Sequence, residues 1–180
     1  MVGIDLIGRI DALEVGGGSL AFWGLGQVGV AIKGPTGVLY VDPYLTDSDG
    51  EGGSLPRTFP PPLAPAEVTN ASAVVLTHVH IDHTDPHTVL PLSEASPDAR
   101  FVAPFTSNDT LVEAGLDEKR ILVPEIGEPV AIAGPGSRPS LRPTRSWSAT
   151  TSAATLIWAT SSSGTMLLST TLATLWSTTA

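Results

Sequence analysis

The sequence predicts an α+β layered fold, and three observations carry the prediction. Short apolar runs broken by turn signals fill residues 20–41, strand and helix patterns alternate over residues 73–133, and 180 residues suffice for one domain with a real core. No internal repeat is present.

The elements follow in order. Residues 20–23, 28–32 and 38–41 read as strands of a β-meander, with Gly34, Pro35 and Gly37 marking the second turn. Asp42-Pro43 ends it, because proline pushes the preceding residue out of helix and cannot continue a ladder. Residues 47–66 are rich in Gly, Pro, Asp and Ser and form a loop, either a functional lid or a plain excursion. The run 73–77 suits a buried strand. A helix is predicted over 86–95, with Asp85 as N-cap and Pro86 in the first position. Residues 100–103 are a strand, and 107–114 a helix with Ser107 as cap and Gly115 as stop. Residues 120–123 and 129–133 complete the strands.

Composition divides the chain. It holds 18 acidic and 9 basic residues, a net charge of −9, and no cysteine. All the acids lie at or before Glu128, so residues 1–128 net −12, while the remaining 52 carry three arginines and no acid. From Ser137 onward, 21 of 44 residues are Ser or Thr, which sets this tail apart from the front. Absence of cysteine excludes disulfide scaffolds, thiolate zinc sites and cysteine nucleophiles. The acidic front argues against a phosphate-tracking nucleic-acid surface. Asp5 and Asp11 interrupt any signal-peptide core, and no run approaches the roughly 18 apolar residues of a membrane span. A cytoplasmic protein with neither nucleic-acid nor membrane partners is the expectation.

The informative segment is Thr77-His78-Val79-His80-Ile81-Asp82-His83-Thr84-Asp85-Pro86, which holds three of the four histidines. At the end of a strand, residues two apart share a face, so His78 and His80 can reach one point. A turn would swing Asp82 and His83 to a neighbouring point, with Val79 and Ile81 facing the core. Imidazole with carboxylate suits Zn, Mn or Fe. The competing reading is a polar loop or a satisfied hydrogen-bonded cluster; histidines closing a buried strand without partners are costly, which favours the metal. His87 lies off the spacing and reads as a surface helix residue. Gly24, Gly26 and Gly29 are strand and turn residues, not a phosphate cradle, since no helix follows them.

His-x-His-x-Asp-His after an apolar strand and Thr resembles the metallo-β-lactamase-fold hydrolases. Residues 23–29, 41–45, 76–86, 101–104 and 127–128 are similar to the branch containing L-ascorbate-6-phosphate lactonase. The resemblance implies the N-terminal half of an αββα sandwich and a metal-dependent hydrolase acting on a lactone, ester or phosphoester. It implies His78 and His80 as ligands of one metal, Asp82 and His83 as ligands of a second, two Zn or Mn ions in all, and Asp82 as the catalytic group that orients the attacking water. Asp42 would be the buried acid that hydrogen-bonds behind the site, or else an ordinary turn aspartate before proline. The partner implied is a small-molecule substrate, and an oligomer is compatible with the family. His80 stands where the redox branch of the fold usually carries Glu, which favours hydrolysis.

Members of this family complete the metal sites from their second half, with further histidines and a bridging aspartate. This chain has no histidine after His87 and no acid after Glu128. Residues 1–135 therefore read as a partial metallo-hydrolase domain, and 136–180 as a non-native or disordered tail from a shifted reading frame. Read one base earlier, each Thr codon yields Tyr, His, Asn or Asp, and Ser169 to Trp176 then permits the family's Tyr-His-Thr-Gly-Asp-Thr-Leu. A genuine low-complexity tail is the alternative. A half-domain is expected to expose the sheet face meant for its missing mate, and to catalyse weakly or not at all.

Overall fold

Alternation of side chains along each strand sends residues two apart to the same face, and this builds a sheet with two apolar layers. The computed structural model describes residues 5–47, 55–125, 129–132, 156–160 and 166–170. Strands β1 (Ala21–Gly26), β2 (Gly29–Gly34) and β3 (Gly37–Val41) form the expected antiparallel meander. Strands β4 (Ala71–Val75), β5 (Arg100–Val102) and β6 (Ile121–Leu122) then add in parallel, giving one six-stranded sheet in the order β1-β2-β3-β4-β5-β6. Parallel neighbours need crossovers. Helices α2 (Pro86–Ala95) and α3 (Phe105–Ala114) supply them between β4 and β5 and between β5 and β6.

On one face Val38, Tyr40, Val74 and Phe101 meet Val89 and Leu92 of α2 and Leu111 of α3. Arg120 holds the end of α2 against this layer. Its guanidinium donates to the carbonyls of Ser93 and Ser96 at the helix end and of Ala99 just beyond it, and stacks over the Phe101 ring at 5.1 Å. Helix α1 (Leu6–Ala12) was not anticipated by the sequence. It is only seven residues long and contains Gly8, so its stability comes from tertiary contacts. Asp5 caps it, Ile10 is buried, and Lys33 donates to the carbonyls of Ile10 and Asp11.

The opposite face departs from expectation. Ile32, Leu39, Ala73, Val75, Val102 and Leu122 form a second layer in which no residue is more than 6% exposed, and Val130 packs against it. This face is covered, not open. Val130 belongs to β7 (Pro129–Ile132), which pairs with β9 (Met166–Thr170), itself paired with β8 (Leu156–Thr160), in an antiparallel sheet of order β7-β9-β8. The sequence reading gave no element beyond residue 133. The apolar runs Leu156-Ile157-Trp158 and Met166-Leu167-Leu168, flanked by Ser and Thr, nonetheless meet the requirements of short strands. Most of the segment read as frame-shifted, residues 136–155, 161–165 and 171–180, lies outside the described residues. Among the described residues no helix is long and apolar enough to cross a membrane.

Phe101 is fully buried at the centre of the parallel half, where β5 lies between β4 and β6. Phe101→Ala is expected to lower the unfolding free energy by about 3–5 kcal/mol, measured by chemical denaturation.

Candidate functional site

In open sheets with parallel strands, the carboxyl ends of the strands frame a crevice where functional groups collect. Here the ends of β3 and β4 bring Asp42 beside the segment 77–85. Asp42 extends the pairing of the two strands, its N–H donating to Val75 O at 2.9 Å. It then turns the chain with φ +42°, a conformation that costs a non-glycine residue about 1–3 kcal/mol and persists only where surroundings enforce it. Gly29 makes room, since a Cβ there would stand 3.2 Å from the Asp42 carbonyl oxygen.

The carboxylate of Asp42, a buried residue, is the centre of the local network. Oδ1 accepts from the Thr77 N–H at 2.8 Å, and Oδ2 from the Thr77 hydroxyl at 2.7 Å. His83 Nδ1 lies 2.8 Å from the same Oδ2. Thr77 Oγ1 also lies 3.1 Å from both His78 Nδ1 and His83 Nδ1. Thr77, expected as the last residue of a buried strand, lies beyond the end of β4 at Val75, and its hydroxyl touches three of the site's side chains.

The segment itself differs from a simple strand end. Strand β4 stops at Val75, and residues 80–84 form a turn in which His83 N and Thr84 N both donate to His80 O. Val79, expected to face the core, is 41% exposed, and Ile81 is half-buried. The turn, not strand alternation, sets the side-chain directions. Rigidity comes instead from Thr84, buried beneath the loop, whose hydroxyl donates to His78 O at 2.6 Å and contacts Ser107 Oγ at 3.1 Å. Ser107 was expected to cap α3. The helix begins two residues earlier, Pro104 holds the cap position, and Ser107 serves this contact instead.

Asp85 and Pro86 start α2 as predicted, with the Asp85 carboxylate accepting from His87 N and the Thr88 hydroxyl. The Thr46 hydroxyl also donates to Asp85, and Leu45 N donates to Thr88 Oγ1, so the chain after Asp42 is tied to α2. His87 sits exposed on that helix, away from the cluster. Of the long loop, the described part is held by Arg57, which donates to the carbonyls of Leu25, Tyr44 and Phe59. Arg57 and Phe59 press on Gly26, whose φ of +80° and lack of a Cβ permit that approach.

His78, His80, Asp82 and His83 thus converge in two pairs. His78 Nε2 is 3.0 Å from His80 Nδ1, and His83 Nε2 is 3.6 Å from Asp82 Oδ2. Two ligands of a tetrahedral ion with bonds of about 2.0–2.1 Å stand about 3.3 Å apart, so donor type and spacing both suit a divalent cation. Each pair fills two corners only. Among the described residues no group of three or more His, Cys, Asp or Glu stands ready to hold an ion. Imidazoles with carboxylate fit Zn or Mn chemically and leave the choice between them open.

Burial holds the His78 imidazole below its usual range, helped by the neighbouring His83 and His80 rings, and so favours the neutral form that can donate an electron pair. A histidine with a depressed folded-state pKa adds stability above its unfolded value of about 6.5, and that stability is lost as pH falls. The His78 midpoint in an NMR titration is expected below its midpoint in the denatured chain.

Comparison with known proteins places these residues in context. The family model described as Beta-lactamase superfamily domain matches residues 39–168, a span that contains Asp42 and the whole 77–85 segment. A solved structure similar to this chain is Igni18, a novel metallo hydrolase from the hyperthermophilic archaeon Ignicoccus hospitalis KIN4/I. It is 17% identical with a TM-score of 0.41, over 62% of this chain and 42% of that one, so this chain spans less than half its length. No curated protein matches.

Proposed function

As the chain belongs to the beta-lactamase superfamily, we propose that it carries the first half of the metal site of a hydrolase that cleaves a lactone, ester or phosphoester. The observation that supports this reading best is the pairing of donors on one rigid loop, with Asp42 and Thr77 hydrogen-bonded behind them. His78 and His80 would hold one divalent cation, Zn or Mn, and Asp82 and His83 a second. When bound, such ions supply Lewis acidity that lowers the pKa of water and polarises the oxygen under attack. Asp82 would orient the attacking water. Asp42 keeps the His83 ring in place. The substrate is a small molecule, and the L-ascorbate-6-phosphate lactonase-like branch is the finer assignment, in a cytoplasmic protein.

In the same proposal the chain itself works poorly, because no histidine follows His87 and no acid follows Glu128 to fill the remaining corners. The tail from about residue 136 is then proposed to be a shifted reading frame, a reading that the family match, which runs on to residue 168, does not support. A second reading, a non-catalytic fragment with weak metal binding, is favoured by the absence of a third converging donor among the described residues. Metal analysis after dialysis, with assays on a phosphodiester and a lactone probe, separates the two. About two retained equivalents and measurable hydrolysis support the enzyme, whereas less than one labile equivalent and no turnover support the fragment. Where hydrolysis is measurable, Asp82→Asn is expected to lower kcat about 10²–10⁴-fold. The gene sequence around codon 136 tests the frame: an intact original frame encoding this tail, matched by protein mass, would sink that part of the proposal.

A further inference from the structure

The Thr77 hydroxyl carries one proton and has three polar neighbours: Asp42 Oδ2 at 2.7 Å, His78 Nδ1 at 3.1 Å and His83 Nδ1 at 3.1 Å. A carboxylate only accepts, so the nearest contact takes the hydroxyl proton. The Thr77 oxygen then has only lone pairs left to offer His78, and His78 Nδ1 must be the donor in that contact. His83 Nδ1, at 2.8 Å from the same carboxylate oxygen, must also be a donor. One proton balance therefore makes Nδ1 a donor in both rings. In the neutral form of each ring the electron pair is left on Nε2, and those are the atoms that face His80 and Asp82.

We propose that Thr77 is a positioning residue whose hydroxyl relays the Asp42 carboxylate to the imidazoles, fixing His78, and with Asp42 also His83, as Nδ1–H tautomers that present Nε2 to the site. Only the metal-binding arm of its test rests on the function proposed above. The backbone N–H of Thr77 contributes a separate bond to Asp42 that survives any change of side chain. Thr77→Val keeps the shape and removes the hydroxyl, while Thr77→Ser keeps the hydroxyl.

Imidazole ¹⁵N NMR of the full metal-free chain reads the tautomers, and visible absorbance during cobalt(II) titration reads affinity. The wild type and T77S are expected to show His78 and His83 protonated at Nδ1 alone. In T77V the His78 resonances shift toward the Nε2–H form, and cobalt affinity falls about 10–100-fold, the range for losing a group that orients a ligand. Serine restores both. A wild-type His78 protonated at Nε2, a wild-type His83 protonated at both nitrogens, or a T77V variant with unchanged spectrum and affinity would overturn the proposal. The wild-type spectrum decides even where T77V does not fold. Failure of the wild type to take up cobalt, with the predicted tautomers present, would remove the metal reading and leave the role of Thr77 standing.

Discussion

One carboxylate organises the edge of this molecule that carries the histidine loop. Asp42 takes three hydrogen bonds, two from Thr77 and one from His83, from a backbone conformation that a non-glycine side chain resists. The strain is tolerable because the strands β3 and β4 are already paired where it occurs, and because Pro43 and the Leu45–Thr88 contact direct the chain away. Without that carboxylate the Thr77 and His83 groups would be left partly buried and unpaired, a cost larger than the bonds themselves return. The loop of histidines is held from behind by Asp42 and from below by Thr84, which leaves the donor atoms as its free side.

Much of this was legible because it depends on local chemistry. The meander follows from turn residues between apolar runs, and the start of α2 from Asp85 and Pro86, each a short-range rule that tertiary structure had no reason to override. The histidine motif was legible as a spacing. What could not be read was anything set by a partner distant in sequence. Ser107 was taken for a cap by its local position, while its real contact, Thr84, lies 23 residues away. Thr77 looked like a strand residue until β3 delivered Asp42 to it. Val79 was assigned to the core by alternation, and the turn at His80 ended the alternation before it applied.

The tail teaches a related lesson about composition. Its Ser and Thr content and lack of acids make it unlike the front, yet local runs such as Met166-Leu167-Leu168 hold enough β-forming side chains to pair as strands. Strand pairing asks little of a sequence, because the backbone supplies the hydrogen bonds. Ligation asks for particular atoms. A segment can therefore supply strands without carrying the histidines and acids that ligation asks for, as in the sequence beyond Glu128.

The bonds that join Asp42 to Thr77 and His83 bridge 35 and 41 residues of chain. They cannot exist before β3 and β4 pair in parallel, a contact that closes a long loop and is slow to form. The histidine loop consequently depends on that pairing, and the meander alone leaves it without its bonds to Asp42. Any ion that prefers the organised loop would bind the finished sheet and not its precursors.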